Sequence, residues 1–541
     1  MGAHMTHTYL TLDSVSYTLP DGRTIFSDLS VQLDLRKTAL VGRNGVGKSL
    51  LGKIIAGQLV ATSGRCFRSG RVFYLAQQIS TSKHTCVAEL VGVKGIIDAL
   101  QRIAAGSVDP CDFDAVGERW NIRQQLEAEL GAQGLGHIAI DRPVASLSGG
   151  EVMRIALVGA YLADVEFLVL DEPSNHLDRE GRQLLIEQLQ AWPKGLLVIS
   201  HDRELLASME RVVELSSLGL RSYGGGFSFY QQCKAQEHEQ AQAYLAKCKL
   251  QRKHAVQKQR CIQARAERQN ARASRQASSA NQAKILLGRA RQRSEVSNGK
   301  QLKLQGVQRE QLSQQVKQAA QQVEQAAEIS MQALGAGQGH QARLVELERL
   351  ELPFVAPAAR TLSLVLDNTQ RVAITGPNGC GKSTLLKVMA GLVQPLAGAC
   401  KISGAFAYLD QQLLGSSPEK SALEQLRAVN TGLDQSELRT RLAQLGLEAD
   451  AVMQPSGCLS GGERLKVALA CALYADVPAQ LLLLDEPSNH LDLVSLQALE
   501  QTLCAYRGGL MVVSHDEVFL QQLQLTHRLA PDSAGWTLAP W

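Results

Sequence analysis

Twice in this chain a short apolar segment runs into the pattern Gly-x-x-x-x-Gly-Lys-Ser, and few folds accept that arrangement. Thr38-Ala39-Leu40-Val41 precedes Gly42-Arg43-Asn44-Gly45-Val46-Gly47-Lys48-Ser49. The second copy reads Gly376-Pro377-Asn378-Gly379-Cys380-Gly381-Lys382-Ser383. Glycines let backbone N–H groups wrap phosphate oxygens at the N-terminus of a helix. Lys48 and Lys382 bring a point charge to the β and γ oxygens, and the Ser49 and Ser383 hydroxyls suit Mg²⁺. Buried strand, phosphate loop and helix, in that order, predict an α/β domain in each half.

The same series of motifs follows each loop. Tyr74-Leu75-Ala76-Gln77 is matched by Tyr408-Leu409-Asp410-Gln411, and Leu147-Ser148-Gly149-Gly150-Glu151 by Leu459-Ser460-Gly461-Gly462-Glu463. Apolar runs then end in Asp171-Glu172 and Asp485-Glu486, and Ser200-His201-Asp202 is matched by Ser514-His515-Asp516. An acidic pair after a buried strand suits a magnesium-binding Asp followed by a base that orients water. A single histidine in such a place reads most readily as structural. Ordered after the other motifs, His201 and His515 stand where they can sense a γ-phosphate.

A repeat of this size implies a duplicated domain of about 200 residues per copy. Gly42 to Gly376 and Gln77 to Gln411 are both offset by 334, but Ser148 to Ser460 by only 312. The first copy therefore carries about 20 extra residues, read as a helical, protruding arm near 87–130. Residues near 10–35 alternate as strands do, with Asp21-Gly22 as a hairpin turn.

Between the repeats, residues 227–287 contain neither Gly nor Pro, the usual helix breakers. From Lys234 to Lys300, sixteen Lys/Arg face four Glu, a balance of +12 in a chain whose total is +4. The remainder is therefore about −8. Such a run is either a solvated spacer or an arm that touches phosphates. Composition alone leaves both open. A helix over 229–273 would extend ~65–70 Å at 1.5 Å per residue, turn near Ser278-Ser279-Ala280-Asn281 and return through 282–334. Arg265, Arg268, Arg272, Arg275, Lys284, Arg289, Arg291 and Arg293 flank that tip, a density suited to phosphate contact rather than base reading. The Gln-rich flanks allow an interaction tail instead, but freedom from Gly and Pro favours a stiff rod.

Bulk properties exclude several classes. At 541 residues, 45% hydrophobic and 20% charged, the chain suits two or three soluble globular domains. No apolar run approaches the ~18–20 residues that span a bilayer, and no secretory signal is recognisable. Met1-Gly2-Ala3-His4 reads as a cloning scar, with native numbering expected from Met5. The eleven cysteines form no CxxC pair, which suits reduced cytoplasmic thiols rather than disulfides, zinc or iron–sulfur sites. Aromatics at 4% disfavour a stacking platform for single-stranded nucleic acid.

Together the phosphate loop, glutamine loop, LSGGE signature, LVLDEPSNHLD run and His201 resemble an ATP-binding cassette, and the second repeat does so equally. Glu151 and Glu463 after the signature glycines, the two EPSNHLD runs and the basic linker resemble the ABC-F family of translation factors over nearly the whole chain. The resemblance implies two P-loop NTPase cassettes in tandem, at 5–230 and 341–541, joined by a long basic α-helical hairpin at 231–340. It implies that ATP and Mg²⁺ bind, that each signature covers the opposite nucleotide, and that the two cassettes pair within a monomer.

Site one would join Gly42, Asn44, Gly45, Gly47, Lys48, Ser49, Gln77, Asp171, Glu172 and His201 with Ser460, Gly461 and Gly462. Site two would join Gly376, Asn378, Gly379, Gly381, Lys382, Ser383, Thr384, Gln411, Asp485, Glu486 and His515 with Ser148, Gly149 and Gly150. By the same resemblance Ser49, Gln77, Asp171, Ser383, Gln411 and Asp485 hold the metal, and Glu172, Glu486, His201 and His515 are catalytic. Tyr17 would stack on adenine, and Asp178 would lie in the loop that crosses between cassettes. Two departures stand out: Leu50 replaces the Thr seen at Thr384, and the second copy offers only Phe354 in place of an adenine-stacking Tyr. The implied function is a cytoplasmic ATPase gripping the 70S exit-tRNA site in its closed form, with linker contacts to peptidyl tRNA and ribosomal RNA. It would adjust stalled ribosomes or displace antibiotics, and hydrolysis would release it. The alternative is a fused ATPase subunit that energises a membrane transporter.

Overall fold

The computed structural model describes residues 9–76, 85–175, 177–279, 310–311, 313–316, 343–410, 418–447, 449–489, 491–532 and 535–541. Gln77, Gln411, Lys284, Arg289, Arg291, Arg293 and the side chain of Arg275 lie outside them. The chain divides into two compact units, Met1–Tyr230 with Ile329–Trp541, and Gln231–Glu328.

Both repeats in the first unit fold alike. Each has a six-stranded sheet, ordered in the first repeat Val72–Leu75, Phe167–Asp171, Gly195–Ile199, Lys37–Val41, Arg211–Ser216 and Gly219–Tyr223. All neighbours are parallel except the last pair. The second repeat has the same order through Phe406–Leu409, Leu481–Asp485, Gly509–Val513, Arg371–Ile374, His527–Asp532 and Gly535–Pro540. Central strands are buried along their whole length, as expected of parallel strands covered on both faces. That is why they read as unbroken apolar runs. A three-stranded antiparallel sheet accompanies each, with Leu10–Thr18 and Arg343–Glu351 as the middle strands. The hairpin after Leu10–Thr18 turns through Gly22, whose positive φ of 86° suits glycine.

Strand order positions the chemistry. The carboxyl ends of Phe167–Asp171, Gly195–Ile199 and Lys37–Val41 lie side by side, and from them issue Glu172, His201 and the phosphate loop. Ligands of open α/β sheets bind at that edge. Within 87–132, helices Lys94–Ala104, Pro110–Val116 and Ile122–Ala132 share an apolar core with Ile155 and Val158 of the signature helix.

Helix Phe227–Ser279 begins in the first unit, where Tyr230 Oη donates to Glu214 Oε1 at 3.2 Å and its ring meets Tyr223 edge-on. It runs 53 residues, about 80 Å, six residues past the expected end. Ala-, Arg-, Gln- and Ser-rich sequence holds no stop signal there, so composition alone set the boundary too early. Within the second unit, Val316 packs on Cys248 and Leu245, while Arg265, Arg268 and Arg272 are exposed on the helix. Of the turn expected near 278–281, Ser278 and Ser279 are still helical, and Ala280, Asn281 and most of the return lie outside the described residues. Among the described residues no helix is long and apolar enough to cross a membrane.

Arg371 ties the second repeat together. It is buried, and its guanidinium donates to the carbonyls of Leu523 at 3.0 Å, Tyr506 at 2.9 Å and Leu503 at 2.9 Å. Its counterpart in the first repeat is Lys37, whose ammonium caps the Gln190 carbonyl. Arg371→Met strands three buried acceptors and should destabilise the second repeat by about 3 kcal/mol or more, read as an earlier urea-unfolding transition.

Candidate functional site

Each phosphate loop is shaped by a glycine that starts its helix. Gly47 and Gly381 hold φ of 96° and 102°, and helices Lys48–Ala56 and Lys382–Met389 follow. A Cβ at Gly47 would lie 2.6 Å from Ile25 Cγ2, so packing as well as φ excludes larger residues. Lys48 Nζ donates to the carbonyls of Gly42 at 2.7 Å and Arg43 at 3.0 Å. Lys382 Nζ repeats this with Gly376 at 2.8 Å and Pro377 at 2.9 Å. The ammonium groups thus curl over their own loops, where a phosphate would lie.

Beside each loop stands a buried carboxylate. Tyr74 Oη donates to Asp171 Oδ2 at 2.8 Å, while Asp171 Oδ1 has no hydrogen-bond partner among the described residues. Ser383 Oγ donates to Asp485 Oδ1 at 2.8 Å. An orphaned carboxylate oxygen near Ser49 and a Ser–Asp pair in the second repeat form hard-oxygen donor sets that fit Mg²⁺. No cluster of three or more His, Cys, Asp or Glu suited to a metal occurs among the described residues.

Glu172 and Glu486 sit one residue further, with φ of 49° and 50°. Left-handed backbone at a non-glycine residue costs about 1–3 kcal/mol, and such strain clusters at functional sites. Backbone bonds to the neighbouring strand hold it: Glu172 N to Ile199 O at 2.8 Å and Glu486 N to Val513 O at 2.9 Å. Burial raises the Glu172 carboxyl to about 8, against the opposing pull of Lys48. Burial raises Glu486 to about 7, opposed chiefly by Arg182. A base for work near neutrality needs such tuning. His201 Nε2 lies 3.6 Å from Glu172 Oε1, and His515 Nε2 lies 3.5 Å from Glu486 Oε1. Burial, with Lys48, lowers His201 to about 3; burial, with Lys382 and Arg182, lowers His515 to about 4. Both rings are therefore neutral at pH 7.

The repeats complete each other. Asp492 Oδ2 accepts from the Asn44 N–H at 2.9 Å, and Asp178 Oδ2 accepts from Asn378 N–H at 3.4 Å. Each Asp also caps its own helix, bonding Ser495 N or Gly181 N. A cavity of about 690 Å³ holds Asn44, Gly45, Gly47, Lys48, Ser49, Asp171, Glu172 and His201 against Gly461, Arg464 and Leu465 of the second repeat. A second cavity of about 330 Å³ holds Asn378, Gly379, Gly381, Lys382, Ser383, Thr384, Glu486 and His515. There the first repeat contributes Leu177 and Arg182; Ser148, Gly149 and Gly150 do not line it.

Other expected residues fall as follows. Tyr17 leans on Phe26, ring centroids 6.2 Å apart, and the nearby wall of the large cavity is formed by Leu19, Arg23 and Ile25. Leu50 lines the large cavity, and Thr384 and the exposed Phe354 line the small one. Ser148 and Ser460 form capping boxes with Glu151 and Glu463, whose carboxylates accept from the Ser N–H at 2.8 Å in both cases. Sequence reading used those glutamates only as family marks, although Ser-x-x-Glu before a helix signals the cap. It also missed the ion pairs between repeats: Arg203 bonds Glu500 at 2.8 and 3.2 Å, and Arg179 meets Glu517 at 3.0 Å.

Paired phosphate-loop domains that share their ligand cavities define a twin-cassette nucleotide-binding protein. A family-wide sequence profile described as "ABC transporter" matches residues 27–175 and 359–489. The energy-dependent translational throttle protein EttA of Mycobacterium tuberculosis is 30% identical over 540 residues, covering 93% of this chain and 88% of EttA. The tylosin resistance ATP-binding protein TlrC of Streptomyces fradiae is 30% identical over 522 residues, 92% of each chain. An archaeal ribosome recycling factor, solved with the stalk protein aP1, shares the fold at a TM-score of 0.56 and 19% identity, over 97% of this chain and 89% of that one. The chain belongs to the ATP-binding-cassette family and, within it, to the ABC-F ATPases.

The imidazoles supply a direct check. A histidine held below its ordinary value of about 6.5 leaves the folded protein with fewer bound protons than the unfolded chain. The resulting stability is intact above pH 6.5 and is lost as pH falls toward the folded values near 4 and 3. NMR of His201 and His515 should show neutral rings from pH 8 to 5; a midpoint near 6.5 would contradict the burial.

Proposed function

We propose that this protein is a ribosome-associated ATPase whose ATP-bound, closed cassettes grip the exit-tRNA site of the 70S ribosome. In the large cavity, Lys48 and the loop N–H groups bind the triphosphate, and Ser49 and Asp171 would hold Mg²⁺; Gln77, expected beside them, lies outside the described residues. The ion, when bound, neutralises charge on the β and γ oxygens. Glu172 accepts a proton from the attacking water, and neutral His201 orients the γ-phosphoryl group. The start of the second signature helix, Gly461, closes the cavity with its N–H groups and positive dipole end. Lys382, Ser383, Asp485, Glu486 and His515 take the same roles in the second cavity. ATP and water become ADP and phosphate, the γ charge that bridged the repeats leaves, and the clamp opens.

The single observation that carries this reading is the cavity walled by both repeats, with Asp492 bonded to the opposite phosphate loop. The basic helix supports the choice of partner: Arg265, Arg268 and Arg272 are exposed, ready for phosphates of peptidyl tRNA and ribosomal RNA. Relatives named for a translational throttle and for tylosin resistance support translation as the setting. The protein acts there either on stalled ribosomes or by displacing an antibiotic, as a monomer in the cytoplasm with its two cassettes paired.

Glu172→Gln with Glu486→Gln should leave ATP binding intact, reduce hydrolysis by at least about a hundredfold, and cause ATP-dependent pelleting with 70S ribosomes. Changing Arg265, Arg268 and Arg272 to Glu should abolish pelleting and leave ribosome-free ATPase activity unchanged. ATP-bound, closed protein that stays in the supernatant would sink the ribosomal reading.

A further inference from the structure

The two cavities are not chemical copies, and the difference centres on one arginine. Arg182 lies on the helix Arg179–Ala191 of the first repeat, one turn after Asp178, yet lines the cavity of the second phosphate loop beside Lys382, His515 and Glu486. Only 9% of it is exposed. Its contacts are long for a buried guanidinium: Nη1 to the His515 carbonyl at 3.4 Å and to Asp202 Oδ2 at 3.5 Å. Nε has no hydrogen-bond partner among the described residues.

A guanidinium carries five N–H donors, and burying them half-used is costly. An anion presenting several oxygens relieves that cost, and phosphate matches the planar fork. The repeat offers an internal control. Asp171 and Asp485 are 314 apart, so Leu177 corresponds to Leu491 and Arg182 to Leu496. Leu177 and Leu491 line equivalent cavities. Leu496 instead is buried in the apolar core of the second repeat and lines neither. The cation that the second repeat brings to the first cavity is Arg464, which lies on the signature helix Gly461–Leu473 and not on the helix equivalent to that of Arg182.

We propose that Arg182 is a specificity-determining residue of the second cavity, a cation lent by the first repeat that engages the terminal phosphate of a triphosphate. The proposal deepens the ATP reading of that cavity and rests on it. Arg182 shares the wall with His515 and Glu486, where that reading puts the γ-phosphoryl, so it distinguishes ATP from ADP. Binding at the second cavity then pulls on the first repeat directly, through a side chain whose equivalent in the first cavity is a leucine turned into the core.

The full-length protein carrying Lys48→Ala, which confines tight binding to the second cavity, provides the test by titration with AMP-PNP and with ADP. Adding Arg182→Leu should weaken AMP-PNP by about tenfold or more and ADP by less than about twofold. Arg182→Lys should restore part of the loss. In a Lys382→Ala background, which leaves the first cavity, Arg182→Leu should change neither affinity. Equal weakening of both nucleotides, or no change, would make Arg182 a strut between repeats and overturn the proposal. If Arg182→Leu fails to fold, Arg182→Gln carries the same comparison. Failure of the Lys48→Ala parent to bind either nucleotide would overturn the ATP reading of the cavity itself, which is a separate result.

Discussion

The bond from the Asn44 N–H to the Asp492 carboxylate, 2.9 Å long, joins the repeats at the point where chemistry is expected. A phosphate loop must present its N–H groups to an anion, and here one of them faces a carboxylate from the other repeat. Ligand binding and repeat pairing therefore compete for, or share, the same backbone. Around this contact the interface is charge-sorted. Arg179 and Arg203 come from the first repeat, and Glu517 and Glu500 from the second. The Arg203–Glu500 pair is bidentate and largely buried, the geometry in which an ion pair gives orientation as well as energy. At the same offset of 314, Arg203 corresponds to Glu517 and Glu500 to Ile186. Two second repeats would set Glu517 against Glu500, and two first repeats would set Arg203 against Ile186. The sorting therefore favours first with second repeat over like with like.

The parallel sheets set everything else. Neighbouring carboxyl ends deliver an acid, a histidine and a phosphate loop to one edge, and fully buried strands keep that edge rigid. Burial then does two things at once. It holds His201 and His515 neutral at pH 7 and raises the Glu172 and Glu486 carboxyls. The left-handed φ at both glutamates shows that the backbone is bent to aim them, and the adjoining strands supply the hydrogen bonds that sustain the strain.

Much of this was legible in the sequence. Apolar runs before Asp171 and Asp485 announced buried strands, and glycine spacing announced the phosphate loops. What escaped depended on distance along the chain. Arg203 and Glu500 are 297 residues apart, and nothing local marks either as a partner. Arg182 sits after a recognisable Asp178 but is separated from His515 by 333 residues. Tyr17 illustrates another limit: its strand and residue type were readable, but its lean onto Phe26 depends on the packing of the hairpin. The long helix also continues past Ala273, because the sequence beyond it still consists of helix formers and residues that a helix tolerates. In the second cavity, the family resemblance implied pairing of signature and phosphate loop, yet the first repeat's share of the wall is Leu177 and Arg182. Duplicate motifs do not enforce duplicate geometry once the surrounding residues differ.

The central claim is that each nucleotide cavity belongs to both repeats. Residual ATP hydrolysis in two double variants tests it most directly. Lys48→Ala with Gly461→Arg disables two parts of the same cavity, so its rate should equal that of Lys48→Ala alone. Lys48→Ala with Leu177→Arg disables one part of each, so its rate should fall to background. The opposite pattern, with Gly461→Arg silencing the remaining activity and Leu177→Arg sparing it, would contradict the account.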